Sequence, residues 1–304
     1  MGAGTPALIG EDTVQWHLQG YVRSGEMQQE AEAFFASLVK SPKYMVRWPG
    51  DPYAISTPDP TYQTRLDLAA CHRLLDQMGM NEGICNHLSA TVPHPGGSGR
   101  MAFLVIAYGT SWDLVTASNL LLVDEEGSVL QGRGSPEATA FWIHSRLHVR
   151  TGRHAVLHTH QPAVTALATL EGGTIASGGS RVAAELRGEV VVDETYNGLV
   201  TGRAEGDRLA EVIGSKRVAI HRHHGVILLA DTIADAFYLA VTSETAADRQ
   251  LKVAAVRTTA RTGAAEAEQG ASLAKAVSNG AAAWYFDACK RGLLCGRSTW
   301  EYHL

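Results

Sequence analysis

Cysteine is scarce in this chain. There are four in 304 residues (Cys71, Cys85, Cys289 and Cys295), and no two stand in a Cys-x-x-Cys pair. That spacing excludes a disulfide framework and fits reduced thiols in a cytoplasmic protein. Long apolar runs are also missing, so no segment is expected to span a bilayer. The opening residues, Met1-Gly2-Ala3-Gly4-Thr5-Pro6, lack the charged and apolar regions of a signal peptide. Beyond the Met-Gly pair nothing supports a lipid anchor. Positive charge is not in excess: 26 Lys and Arg stand against 31 Asp and Glu, a formal net charge of −5. That balance argues against a nucleic-acid surface. No internal repeat is visible.

What is present suits a soluble globular protein, with 45% hydrophobic and 19% charged residues. The length allows one domain of roughly 200 residues plus extensions. Turn signals in Trp48-Pro49-Gly50-Asp51-Pro52 and Thr57-Pro58-Asp59-Pro60 mark the end of an N-terminal extension, residues 1–58. A helix over Gln28–Lys40 is expected within it. Residues 59–256 form the main domain, and 257–304 a C-terminal helical extension. In the main domain, helices are predicted over 61–80, 138–150, 162–170, 207–213 and 232–256. Strands are predicted over 101–106, 119–124, 155–159, 189–193, 218–221 and 226–229, with one entering from Asn81–Val92 and Val129-Leu130 pairing back. Hairpin-like and crossover connections mix irregularly. The fold class expected is α/β, three layers of α/β/α around a mainly antiparallel sheet.

Thirteen histidines are many for this length, and their clustering carries the information. His158-Thr159-His160 ends the Val156-Leu157 strand. Side chains alternate along a strand, so His158 and His160 share a face and are spaced to grip one ion. A further ligand must come from elsewhere, and His221-Arg222-His223-His224-Gly225 offers one between two apolar runs. Gly225 would let the backbone bend close to the site. Neutral imidazole suits zinc, iron, copper and nickel, and tolerably manganese. Upstream, Ser135-Pro136 reads as helix N-cap and first helical position. That places Glu137 in the first turn, aimed at the facing strand. His94, His144, His148 and His154 read as surface or helix-face residues. His221 and His223 read as supporting or solvent-facing residues. Arg181 and Arg187, near the Gly172-Gly173 and Gly178-Gly179 loop, are weaker candidates for an anionic ligand.

Four segments in this order resemble the class II aldolase/adducin family. They are Asn81–Ser89, Tyr108–Asp124, Ser135-Pro136-Glu137 through His158-Thr159-His160, and His224-Gly225-Val226 with the helix that follows. They cover about residues 60–255. The resemblance implies that His158, His160 and His224 bind one divalent cation per subunit, Zn2+ or Mn2+ or alternatively Fe2+. It implies that Glu137 acts as acid/base. The family's sugar-phosphate aldolases bind phosphate through a Gly-Asn-x-Ser loop, a Thr-x-Thr-Gly turn and a Ser-Ser-Glu segment. This chain has His87 in Asn86-His87-Leu88-Ser89, Ala107-Tyr108-Gly109 at the turn, and Pro136 in place of the second serine.

His87, Ser89, Tyr108, Gly109 and Ser135 are therefore expected at a non-phosphorylated, aromatic or carboxylate-bearing substrate. The resemblance implies a carbon–carbon lyase that decarboxylates a hydroxylated aromatic or keto acid. The alternatives are retro-aldol cleavage of a small hydroxy-carbonyl compound, iron(II)-dependent oxidative decarboxylation of a phenylpyruvate- or mandelate-like compound, and a non-catalytic adducin-like module. It further implies a homotetramer with sites at subunit interfaces. A C-terminal aromatic such as Trp284, Tyr285, Trp300 or Tyr302 would either reach a neighbouring site or pack locally. If Glu137 sits in a dry pocket its carboxyl pKa should be raised.

Overall fold

A computed structural model describes residues 61–97, 99–195, 197–198, 200, 202–256, 282–283 and 285–290. The expected 28–40 helix, the 1–58 extension and most of the C-terminal extension lie outside these residues. The described part opens with helix α1 (Tyr62–Gln77), strand β1 (His87–Pro93) and strand β2 (Met101–Val105). A single 3-10 turn (Trp112–Leu114), β3 (Leu121–Val123) and β4 (Val129–Gln131) follow. Next come α2 (Ala138–Thr151), β5 (Ala155–Thr159), α3 (Pro162–Thr169), α4 (Arg181–Ala184) and β6 (Val190–Asp193). The order ends with α5 (Arg203–Ile213), β7 (Val218–His221), β8 (Gly225–Ala230) and α6 (Ile233–Ala255).

All eight strands join one sheet in the order β4-β3-β2-β1-β5-β8-β7-β6. Every pairing is antiparallel except β6–β7. That exception has a cause: β6 and β7 are joined through helix α5, and a helical crossover returns the chain in the same direction. The mainly antiparallel, layered α/β architecture is thus the one observed.

The central strands β5 and β8 are buried along their whole length, and their residues alternate between two helical layers. Ala155 and Leu157 of β5, with Val226, Leu228 and Ala230 of β8, pack in the core shared with α1, α3, α4 and α6. Val156, Ile227 and Leu229 pack on the opposite side with Ile143 and Leu147 of α2 and Leu209 and Ile213 of α5. Truncating a leucine such as Leu157 to alanine in either layer would cost about 2–5 kcal/mol. This alternation decides where the chemistry sits. His158 has the parity of Val156, so it faces the α2 layer. The β1–β5 register sets His87 opposite His158 and Ser89 opposite Val156, which brings all three to one face.

Three local readings need correction. Helix α2 does not start on Ser135 and Pro136. Glu137 is itself the N-cap, with extended backbone (φ −67°, ψ 135°), and its carboxylate accepts the Ala140 N–H. The reason is that a carboxylate reaching back to the first turn satisfies an orphan donor directly. Helix α5 begins at Arg203 rather than 207. The short α4 was not anticipated; Ser180 caps it by accepting the Ala183 N–H. Helix α2 stops at Gly152, whose φ of 70° is the left-handed conformation that favours glycine.

Candidate metal centre

His158 is the penultimate residue of β5, His160 lies one residue past that strand, and His224 sits in the turn between β7 and β8. One ligating nitrogen from each of these three lies within 4.8 Å of the others. The rings meet edge to face at 4.7 Å (His158–His224), 4.8 Å (His160–His224) and 5.1 Å (His158–His160).

His158 and His160 are oriented by hydrogen bonds behind the ring. His158 Nδ1 donates to the Val226 carbonyl at 3.2 Å. His160 Nδ1 donates to Glu82 Oε2 at 2.6 Å. Each bond leaves Nε2 bare, and the two Nε2 atoms face each other 3.2 Å apart. Two lone pairs held that close repel unless something electron-poor lies between them, and a cation fits that description. A carbonyl or carboxylate behind a ligating imidazole is the usual way a metal site fixes ring orientation. Burial, aided by the neighbouring imidazoles, holds His158 well below the usual histidine range and His224 at about 4. The neutral, ligating form is therefore the resting one. The donor set thus fits a divalent cation.

Asn86 ties the site to the start of β1. Its Oδ1 accepts from the Glu82 N–H at 2.6 Å and the His160 N–H at 3.2 Å. Gly225 is required by space: a Cβ there would lie 2.6 Å from the Thr159 carbonyl oxygen and 2.7 Å from His160 Cδ2. His221 is buried, 3.4 Å from Asp193 Oδ2, with its ring 5.2 Å from that of His224. His223 is exposed and carries a φ of 58°.

A cleft lined by Asn86, His87, Tyr108, Glu137, Phe141 and His144 among others adjoins the cluster through His87, whose ring centroid lies 4.9 Å from that of His158. None of its described lining residues is a lysine or an arginine. Gly109 lines it as well, whereas Ser89 and Ser135 do not. Ser89 is wholly buried beneath it. Ser135 is exposed, and its carbonyl accepts the Tyr108 N–H at 2.9 Å. Tyr108 keeps 61% of its surface exposed, so its phenol stands at the mouth rather than inside.

Glu137 differs from expectation. Burial raises its carboxyl pKa, but hydrogen bonds from Thr139 and the Ala140 N–H, with the nearby His87, outweigh burial and leave it lowered. The donors that offset burial come from the start of helix α2. Glu137 is not grouped with the three histidines as a ligand.

The arginine candidates are elsewhere. Arg181 pairs with Glu185 at 2.6 Å, and neither it nor Arg187 lines the cleft. Tyr285 packs on Phe237, ring centroids 5.8 Å apart. His144 and His148 are buried, not at the surface. Both contact Ser89, and His144 also meets His87. Their four-residue spacing on α2 places them on one face, which was the available signal. Glu82 and Asn86 lie in the Asn81–Ser89 segment that carries the resemblance, but nothing in it marks them as the partners of His160.

The Class II Aldolase and Adducin N-terminal domain model matches residues 66–251. An adducin-related protein of Schizosaccharomyces pombe is 31% identical over 60% of this chain and 56% of its own length. This chain therefore spans little more than half of that relative. A protein of Pseudomonas aeruginosa named for the class 2 aldolases is 32% identical over 62% of this chain and 71% of its own. An aldolase II superfamily protein of Pseudomonas syringae superposes with a TM-score of 0.73 at 27% identity, covering 80% of this chain and 97% of that one. The relatives thus carry both aldolase and adducin names, and among the described residues no helix is long and apolar enough to cross a membrane. With the match spanning the sheet, its helices and all three converging histidines, this chain belongs to the class II aldolase and adducin N-terminal domain family.

Proposed function

We propose that this protein is a divalent-metal-dependent carbon–carbon lyase that decarboxylates a hydroxylated aromatic or keto acid without a phosphate group. The observation that carries this reading is the pairing of three converging imidazoles with an adjacent cleft that has a carboxylate but no cation. A phosphate or sugar-phosphate would ask for lysine, arginine or a row of N–H donors. The apolar wall, with Phe141 and Ile106, suits an aromatic ring instead.

His158, His160 and His224 would hold the cation, with Zn2+, Mn2+ and Fe2+ the candidates. When bound, it supplies a Lewis acid for charge developing on a substrate oxygen. The chain's own residues handle the proton and the pose. Glu137 rests ionised, so it begins as a base and removes the proton from the substrate hydroxyl. The bond to the carboxylate then breaks, carbon dioxide leaves, and its electron pair stays on the substrate. Glu137, now protonated, returns the proton to that carbon. His87, Tyr108 and Gly109 orient the substrate. Ser135 acts through its carbonyl on the Tyr108 backbone.

The ionised Glu137 suits retro-aldol cleavage equally, since that reaction also begins with removal of a hydroxyl proton. Iron-dependent oxidative decarboxylation would consume oxygen, and an adducin-like module would bind no metal. We place the protein in the cytoplasm as a homotetramer. Elemental analysis of freshly purified protein, followed by carbon dioxide release from aromatic hydroxy acids with oxygen monitored, tests the reading. Absence of metal together with absence of turnover on this substrate class would reject it.

A further inference from the structure

The cleft wall behind His87 is a chain of polar side chains that ends on the main chain. His87 Nδ1 lies 2.6 Å from His144 Nε2. His144 Nδ1 meets Ser89 Oγ in a short hydrogen bond. Ser89 Oγ lies 2.7 Å from His148 Nε2. His148 Nδ1 lies 2.7 Å from the Arg153 carbonyl oxygen. Ser89, His144 and His148 are all buried, and Phe103 stacks on His148 with centroids 5.2 Å apart.

The direction of every bond in this chain follows from its last atom. A carbonyl oxygen only accepts, so His148 Nδ1 carries a proton. A neutral imidazole has one N–H, so His148 Nε2 accepts, and Ser89 must donate to it. Ser89 has a single hydroxyl proton, now used, so its oxygen accepts from His144 Nδ1–H. His144 Nε2 is then bare and accepts from His87 Nδ1–H. That leaves His87 Nε2 without a proton. No other group among the described residues hydrogen-bonds that nitrogen, and His87 lines the cleft.

We propose that Ser89, His144 and His148 are positioning residues that fix His87 as a hydrogen-bond acceptor facing the cleft. The ligand that satisfies it must bring a proton donor to that point, in a hydroxylated substrate an O–H other than the one that gives its proton to Glu137, and not a carboxylate or phosphate oxygen. A bare anionic oxygen at that point would face a lone pair. This deepens the function proposed above, since it rests on the cleft being the substrate site. The hydrogen-bond chain itself can be read without any turnover.

The experiment uses full-length protein with 15N-labelled histidine, without added metal, and long-range proton–nitrogen spectra. These distinguish protonated from bare ring nitrogens. His87, His144 and His148 should each show a protonated Nδ1 and a bare Nε2. A His87 with Nε2–H, or with both nitrogens protonated, overturns the proposal. In Ser89→Ala, His144 loses its acceptor, moves its proton to Nε2 and donates to His87 Nδ1. The bare Nε2 signal of His87 should then be lost and a bare Nδ1 signal appear, although His87 itself is unchanged. Survival of the original His87 pattern in a folded Ser89→Ala protein also overturns it. If that variant does not fold, the wild-type spectrum alone decides. Phenol should shift the His87 Nε2 resonance and anisole, its methyl ether, should not. An equal response to both, or none to phenol, overturns the assignment of an O–H donor while leaving the chain's direction to the first spectrum.

Discussion

Glu82 Oε2 lies 2.6 Å from His160 Nδ1, and the contact turns His160 Nε2 toward His158 Nε2. Glu82 is largely exposed, so water screens its charge and its contribution is orientation more than Coulomb attraction. Glu82→Ala should leave the fold intact and weaken cation affinity by roughly 10–100-fold, the usual cost of losing a partner behind a metal-bound histidine. Metal titration followed by calorimetry checks this. Unchanged affinity would mean the carboxylate does not hold the ring.

Removing the cation should destabilise the protein. With free metal at 100 times the dissociation constant, the stabilisation is about 2.7 kcal/mol. Chelation should therefore lower the melting temperature by several degrees, with recovery when metal is restored. His224→Ala should melt at the same temperature with and without chelator.

Gly225→Ala forces a methyl group against the Thr159 carbonyl and the His160 ring. Backbone cannot yield cheaply there, so a loss of about 1–3 kcal/mol is expected. Cation affinity should fall in the same variant, because the displaced ring belongs to a ligand. Denaturant unfolding and metal titration of one preparation measure both.

Acid should destabilise the metal-free protein in a defined window. Burial pushes the His72 and His148 imidazoles down to about 4, against about 6.5 in an unfolded chain. Between those values the unfolded state binds more protons, so stability falls as pH drops from about 6.5 toward 4. Above 6.5 these groups add no slope. Each contributes on the order of 3 kcal/mol across the window. Urea midpoints recorded across this range in chelator test it; a flat profile would show that the rings charge freely.

Thr139→Ala removes one of the donors that keep the Glu137 carboxyl ionised. Its pKa should rise, and the acid limb of the kcat/KM profile should move to higher pH. Glu137→Gln should abolish turnover while the cation still binds. Turnover by Glu137→Gln would remove Glu137 from proton transfer.

Much of this was readable before any coordinates. Val156, Leu157 and the Val226–Leu229 run have the apolar, β-branched character of central strands, and the observed strands fall on them. Alternation along that strand already put His158 and His160 on one face. What stayed hidden depends on pairings between distant segments. Ser89 looked like a ligand-binding hydroxyl because its two buried histidine partners arrive from α2. Glu137 looked like an inward-pointing acid because its own cap could not be told from a cap at Ser135. His144 and His148 looked peripheral because helical spacing alone does not say which face of α2 meets the sheet.

The placement of the ligands on β5 and beside β8 has a kinetic corollary. His158 and His160 come from one central strand end and His224 from the turn that leads into its neighbour, and the two are distant in sequence. Until that antiparallel pair zips into register, no nascent form of the domain can gather three nitrogens. Capture of a cation should thus be among the last events of refolding, and a stopped-flow metal indicator would time the closure of the middle of the sheet.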